Sequence, residues 1–488
     1  MEARMNGRWI FPYIGLVILG CMICACSPPA PPTDIPITTA SEEARQLFLQ
    51  GRDKSENIEF DKAAVLFDQA IQKDPNFAFA YIYRSASGGG SAIALENRNK
   101  ALALLGSVTP GERLTIKYMV AQAQQQTAQA KKYLDSLLAA FPMDKRVQLM
   151  AGIYHRSLGD LKTAVTYYQK AVALDTSYAP PYNLLGYDNA SLGNPEAAEK
   201  AFKTYMHLLP TYANPVDSYA EFLRLQGRYD ESIVQYRKVL VMDPSFTVSI
   251  SGIGDCYLCK GDGKQARNYY REFIAKSPQI NDKLAGYFSL AATYVMEGNI
   301  PEALKALEER RVLAVAQNQN SPVVYSVANQ GYLLCAFGKA QEGLKKYNEA
   351  ITLAKTLSMP DRTRENILFR SNSWLAYAYT QAKSYPKAKE YLTAFSKDVE
   401  QRGNPGEPDD VKSLHSYIAV MEGNYDEGIK QLTSIPDNPP NLYTLTIAYM
   451  KNGDKENAAE TIKQLRKWET VTLGNAVNLR LAQALVKK

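Results

Sequence analysis

Four prolines constrain this chain more than any other feature. Pro142, Pro210, Pro244 and Pro278 stand 68, 34 and 34 residues apart, and Thr176 fills the place that the first interval skips. Proline ends a helix because its ring clashes with the preceding turn and its nitrogen has no hydrogen to donate. When such a stop returns at a fixed interval of this size, one supersecondary unit is being repeated. Within the intervals stand Gly159-Asp160, Gly193-Asn194 and Gly227-Arg228, and glycine just past a helix accepts the left-handed conformation that closes it. Each interval therefore reads as helix, tight turn, helix. One such hairpin cannot bury its own apolar face, so the hairpins must stack.

The match extends inside each unit. Tyr182, Leu185, Gly186, Ala198, Phe202 and Pro210 keep a fixed order of aromatic, Leu-Gly, then Ala, Phe and Pro. Gly152, Ala164, Tyr168 and Ala171 repeat part of it one unit earlier. Tyr236 and Pro244, then Gly254, Tyr257, Ala266, Tyr270, Phe273 and Pro278, repeat it later, and Leu47, Gly51, Ala63, Phe67, Ala70 and Pro75 form an early copy. Small residues let two helices approach, and large ones fill the space between hairpins. This pattern resembles the tetratricopeptide repeat, whose period is about 34 residues. The resemblance covers nearly all of the chain after residue 40, most closely over 145–278. It implies an all-α fold: a right-handed superhelical solenoid of antiparallel helix pairs with a concave groove. The stretch from Thr109-Pro110-Gly111-Glu112-Arg113 onward is also similar to arrays attached to bacterial kinase or cyclase signalling proteins, and only the scaffold carries over, since no kinase or cyclase domain is recognisable.

Beyond Pro278 the period loosens. Units are still readable around Ala303, Tyr347 with Ala350, Ala388, Gly428 and Ala458, with a wide connection at Gln401-Arg402-Gly403-Asn404-Pro405-Gly406. Ser87-Gly88-Gly89-Gly90-Ser91 marks an enlarged turn. About 11 to 12 hairpins are expected. The regular array is placed at 41–278 and a less regular one at 279–488, with Ala476 to Val486 as a capping helix.

The first 40 residues are of another kind. Arg4 and Arg8 precede an almost wholly apolar run from Trp9 to Ala25, and the chain then turns polar at Ser27-Pro28-Pro29-Ala30-Pro31-Pro32. This is the layout of a secretory signal. Ile23-Cys24-Ala25-Cys26 resembles a bacterial lipobox, which implies acylation of Cys26 and a lipid anchor in the cell envelope. Ile18-Leu19-Gly20-Cys21 fits more loosely, which leaves Cys21 as the alternative. An uncleaved anchor of ~17 residues, at the lower edge for a spanning helix, and a plain secreted protein are the other readings. Residues 27–40 read as a Pro-rich tether, extended and with no core of its own.

Little in the chain points to chemistry. Against 56 basic residues stand 50 acidic ones. The excess is spread thinly, with no basic stripe for nucleic acid. Six cysteines are present, three of them in the first 26 residues; those left are too few for a disulfide framework. Cys256-x-x-Cys259 falls inside the first helix of a hairpin without a second pair, so core packing is a simpler account than redox or metal work. His155, His207 and His415 lie in separate units. No phosphate loop, nucleophile elbow or zinc-binding helix motif occurs. Neither an enzyme nor a metal or cofactor site is expected. Tyrosine pairs such as Tyr167-Tyr168 and Tyr269-Tyr270 sit at packing positions.

The groove is what remains. The resemblance implies that Leu149 and Ile153, Asn183 and Tyr187, Asp217 and Glu221, and Ser251 and Asp255 line it. Asn183, Tyr187, Asp217, Glu221 and Asp255 are the candidate partner-binding residues: three carboxylates suit a basic segment of another protein, and Arg224 is the nearby cation that would relieve their repulsion. The plainer reading is a solvated helix face. The Lys and Asn pair with which chaperone-binding members clamp a C-terminal carboxylate is absent from these positions. The expected function is a membrane-tethered scaffold that binds partner proteins. The alternative is a solute- or glycan-binding outer-membrane lipoprotein, whose relatives build the sugar site from large non-repeat insertions that this chain lacks.

Overall fold

The computed structural model describes residues 33–403, 406–467 and 472–486, and among these every regular element is a helix. The helices follow one another as α1 (Glu42–Glu56), α2 (Phe60–Lys73), α3 (Ala78–Arg84), α4 (Gly90–Ala103), α5 (Pro110–Ala123), α6 (Thr127–Ala140), α7 (Lys145–Ser157), α8 (Leu161–Leu174), α9 (Pro180–Ser191), α10 (Pro195–Leu208), α11 (Ala213–Leu225), α12 (Tyr229–Met242), α13 (Val248–Cys259) and α14 (Gly263–Lys276). The longer ones come next: α15 (Ile280–Glu297), α16 (Ile300–Ala316), α17 (Asn320–Ala336), α18 (Ala340–Thr356), α19 (Asp361–Gln381) and α20 (Tyr385–Arg402). They are followed by α21 (Glu407–Glu422), α22 (Tyr425–Leu432), α23 (Pro439–Lys451), α24 (Lys455–Lys467) and α25 (Leu473–Val486). Contacts gather them into two units, one made of residues up to 52 with 60–154, the other of 53–59 with 155 onward. Each is a solenoid of paired helices.

The punctuation does what its chemistry dictates. Pro142, Pro210, Pro244 and Pro278 each stand two residues beyond a helix, after Ala140, Leu208, Met242 and Lys276. Gly159, Gly193 and Gly227 take φ of 78°, 78° and 75°. The residue after each donates its backbone N–H five residues back: Asp160 to His155 O, Asn194 to Asn189 O and Arg228 to Leu223 O. That bond satisfies a carbonyl which the ending helix would otherwise strand. Four turns use other residues in the same strained conformation, among them Ile58 at φ 65° and Lys383 at φ 57°. The weaker period after Pro278 also has a cause: α15 to α20 are three to eight residues longer than most of the helices before them, so the turns fall farther apart. Among these long helices Arg310 replaces apolar packing with a buried guanidinium. It donates to Leu284 O, Pro322 O and Ser326 Oγ and lies 3.9 Å from the Phe288 ring centre.

Within a hairpin, the close approach is made by glycine against an aromatic ring sixteen residues later. A Cβ on Gly186 would lie 2.5 Å from Phe202, one on Gly254 2.7 Å from Tyr270, one on Gly51 2.8 Å from Phe67 and one on Gly331 3.2 Å from Tyr347. Ala198, Phe202, Tyr270 and Phe67 are fully buried. Of the tyrosine pairs, only Tyr168 and Tyr270 are core. Tyr167 and Tyr269 are half-buried and stack on His155 and Tyr257, with ring centres 5.4 and 5.5 Å apart.

Residues 33–40, read from the sequence as tether, are pinned onto the first unit. Ile35 N–H donates to Asp144 Oδ2 at 2.9 Å, and Thr38 donates through both backbone and hydroxyl to Glu112. Thr39 and Ala40 donate to Asp74 Oδ2. Ile35 and Ile37 pack against the core that contains Phe48 and Phe77. A Pro-rich segment lacks a core of its own, yet its free N–H groups can use acceptors at helix ends.

In the second unit α25 does more than cap. It begins at Leu473 and packs on α23 and α24 on one side and on α15 on the other. Leu473, Ala476 and Val477 share a core with Leu290, Ala291 and Leu333, while Ala482 packs with Leu442, Ile462 and Leu465. The run from α15 to α24 is thereby closed on itself.

Two substitutions test the packing and the turns. Gly186→Ala gains about 1 kcal/mol of helix propensity but overpacks Phe202 by about 1–3 kcal/mol, so the denaturant midpoint followed by circular dichroism should fall. Ile58→Gly removes a left-handed β-branched residue and should raise the midpoint, by the equivalent of about 1 kcal/mol of stability. A raised midpoint for Gly186→Ala would show that the ring can swing away freely.

Candidate functional site

The five groove candidates fall on the first helices of three successive pairs in the second unit: Asn183 and Tyr187 on α9, Asp217 and Glu221 on α11, Asp255 on α13. Leu149 and Ile153 belong to α7 and the first unit. Equivalent positions of neighbouring repeats meet directly. The Tyr187 hydroxyl donates to Glu221 Oε2 at 2.8 Å, across one repeat. Asp217 Oδ1 accepts from the Ser249 hydroxyl at 2.5 Å, and Asp255 Oδ1 from the Tyr270 hydroxyl at 2.7 Å. Arg224, nearly buried, points Nη2 at Glu221 Oε1 across 3.7 Å. Its positive charge also acts on Asp255 and Asp217. The three carboxylates therefore share one cation, as their spacing on the helices suggests.

This wall is not a freely solvated helix face. Asn183 is buried, with its Oδ1 left without a partner, and Tyr187, Asp217 and Asp255 are half-buried. Glu221, with 40% of its side chain exposed, is the carboxylate most open to solvent. Loss of surrounding water pushes the Asp217 carboxyl up to about 7, with Glu221 raising it further and Ser249 and Arg224 opposing. Asp255 is raised for the same first reason, with Arg224 and Tyr270 opposing. Burial and the neighbouring carboxylates raise the Tyr187 hydroxyl far out of the physiological range. The arrangement can hold a cationic group at Glu221 and change its own charge near neutrality.

Cys26 and Cys21 fall outside the described residues. Cys256 is fully buried beside Ala220, Ile233 and Tyr236, its sulfur 3.3 Å from Ser232 Oγ, and Cys259 ends α13. His155 lies 3.2 Å from Asp160, His415 2.9 Å from Gln431, and His207 is exposed. Among the described residues no group of His, Cys, Asp and Glu is placed to hold a metal ion. Sequence reasoning missed the ion pair of buried Asp188, one residue from Tyr187, with the more exposed Arg156. Their separation of 32 residues, close to one period, was the available signal.

Paired helices, stacked in register so that equivalent residues touch, define a helical repeat protein. A family model described as tetratricopeptide repeat matches residues 119–179. Superkiller complex protein 3 from Mus musculus is 27% identical over 201 residues, covering 41% of this chain and 11% of that protein. Anaphase-promoting complex subunit 7 from Arabidopsis thaliana is 27% identical over 153 residues, 30% of this chain and 26% of that protein. Protein FlbA from Caulobacter vibrioides is 25% identical over 269 residues, 54% of this chain and 43% of that protein. The chain spans less than half the length of each of these relatives. Among solved structures, MamA is 23% identical with a TM-score of 0.30, covering 34% of this chain and 91% of that one. PilW, titled a type IV pilus biogenesis factor, is 16% identical with a TM-score of 0.30, covering 42% and 96%. Residues 119–179 thus match a tetratricopeptide-repeat model, and the same period of helix pairs continues on both sides of them.

Asp217 sets a pH test. Its folded pKa is raised above the ordinary value of 3.8 to about 7, so the folded state holds a proton that the unfolded chain releases. Its contribution is unperturbed below about pH 4, becomes destabilising as pH rises from about 4 to 7, and reaches about 2–4 kcal/mol above that. Asp217→Asn should therefore raise the melting midpoint at pH 8 and barely change it at pH 4.5. Equal effects at both would mean that Asp217 titrates normally.

Proposed function

We propose that this chain is a membrane-tethered interaction scaffold of the bacterial cell envelope and that the acidic wall of α9, α11 and α13 binds a basic segment of a partner protein. The Tyr187–Glu221 contact carries the reading: it holds Glu221 at the open edge of a wall where three carboxylates share one arginine. A Lys or Arg from a partner would supply the missing positive charge. Two relatives carry in their printed names that they are parts of protein complexes, which agrees with a binding rather than a catalytic role.

The tether rests on the sequence at Cys26. No helix among the described residues is long and apolar enough to cross a membrane, and the proposed anchor, the lipid on Cys26, is read from the sequence. The wild-type chain should sediment with membranes and Cys26→Ala should be released. Release of Cys21→Ala in its place would move the acylated residue, and retention of both variants would indicate an uncleaved helix.

The wall is tested by partner recovery after crosslinking. Asp217→Asn, Glu221→Gln and Asp255→Asn together should reduce recovery about tenfold, whereas changes on the opposite, second-helix face should not. Recovery should also fall with added salt, because exposed charges are screened, and rise from pH 6 to pH 8 as Asp217 ionises. Full recovery by the triple variant, with loss in the opposite-face control, would place binding elsewhere.

A further inference from the structure

Closure of the second unit by α25 leaves a cavity of about 300 Å³ inside the run from α17 to α25, lined by residues of α17, α18, α19, α20, α21, α23 and α25. Seven of its seventeen lining residues are aromatic. Tyr332 and Tyr377 have ring centres 5.5 Å apart, Tyr377 and Tyr417 stack at 5.5 Å and 25°, and Tyr347 stacks on Trp374 at 5.8 Å and 19°. Gln381 donates to the hydroxyls of both Tyr377 and Tyr417 and so fixes these two rings.

The other polar groups are different. The hydroxyls of Tyr332, Tyr347 and Tyr443 and the carboxamide of Asn478 make no hydrogen bond to protein among the described residues. Tyr347 is 3% exposed and Asn478 5%. Their polar atoms are not sealed in the core but reach the cavity, so donors and acceptors that the protein leaves over are presented to whatever the cavity holds. The charges do not: Arg370 and Asp410, the charged residues of the lining, pair with each other at 2.8 Å. An ionic ligand would find no uncompensated opposite charge.

We infer that this cavity is a binding site for a small uncharged saccharide. Pyranose rings present apolar C–H faces to flat aromatic rings and hydroxyls at their edges to tyrosine hydroxyls and a carboxamide. The volume is at the lower end for small-molecule sites, which suits one or two sugar rings. The site needs no insertion in the repeats, because it arises where α25 shuts the run of helices. It shares no residue with the acidic wall, so the two readings stand or fall separately.

The test is titration calorimetry of the full chain with glucose, N-acetylglucosamine, maltose and cellobiose. N-acetyltyrosinamide, adenosine and glucuronate serve as aromatic and charged comparators. In a chain whose Trp9 and Trp468 are replaced by Phe, the fluorescence of Trp374 gives a second readout. At least one neutral sugar should give saturable heat and a matching change in Trp374 emission. Binding should weaken at least tenfold in Tyr377→Ala and in Asn478→Leu, survive largely in Tyr377→Phe, which keeps the ring, and be unaffected by Asp217→Asn. Circular dichroism of each variant checks that the helices remain. Three results would overturn the inference: no heat with any of the four sugars, which means that the cavity holds water alone; heat with the aromatic or charged comparators only; or sugar binding that Tyr377→Ala and Asn478→Leu leave unchanged.

Discussion

The fold depends on how near two helices can come. Where Gly186 faces Phe202 and Gly254 faces Tyr270, the ring occupies the volume that a Cβ would take, and the hairpin closes on that contact. The same pair then sets the next level. A ring sunk into its own hairpin leaves a flat, reproducible surface on which the neighbouring pair can lie, so one local approach fixes both the hairpin and the stacking. Interiors are packed as densely as organic crystals, and a repeat array meets that demand by using the same joint many times.

Stacking in register has an electrostatic consequence. It sets like positions of successive repeats side by side, so any charge placed at one of them in several repeats is concentrated into a column. Tyr187, Glu221 and Asp255 are such a column, one period apart. Two devices keep it tolerable. Arg224 sits among the carboxylates, and hydroxyls from Tyr187, Ser249 and Tyr270 donate to them. What remains is held close to its protonation equilibrium, which couples the surface charge of this wall to the acidity around it.

Much of this was legible in the sequence, for physical reasons that also mark the limit. Prolines, turn glycines and the glycine–aromatic interval act within one hairpin, so their spacing is preserved in the chain and can be read from it. The neighbour relation of Glu221 and Asp255 follows from the period alone. The closure by α25 was not readable, because it depends on small rotations accumulated over five helix pairs, and no single residue records their sum. The turns at Ile58 and Lys383 were hidden for a different reason: both residues take the left-handed conformation that closes a hairpin, and neither is the glycine that would advertise it. The strap at residues 33–40 was hidden by composition, since its threonines and isoleucines look like linker until Asp74, Glu112 and Asp144 are brought beside them.

That strap changes the geometry of attachment. With Thr38, Thr39 and Ile35 bonded to the first unit, a leash of the kind proposed would end near Asp34 and not at the start of α1. Between Cys26 and Asp34 the chain can extend at most about 30 Å, roughly the thickness of the bilayer's hydrocarbon core. An array anchored through Cys26 would thus be kept at the membrane surface as a mooring close to the quay, and a partner would have to come to the membrane to be met.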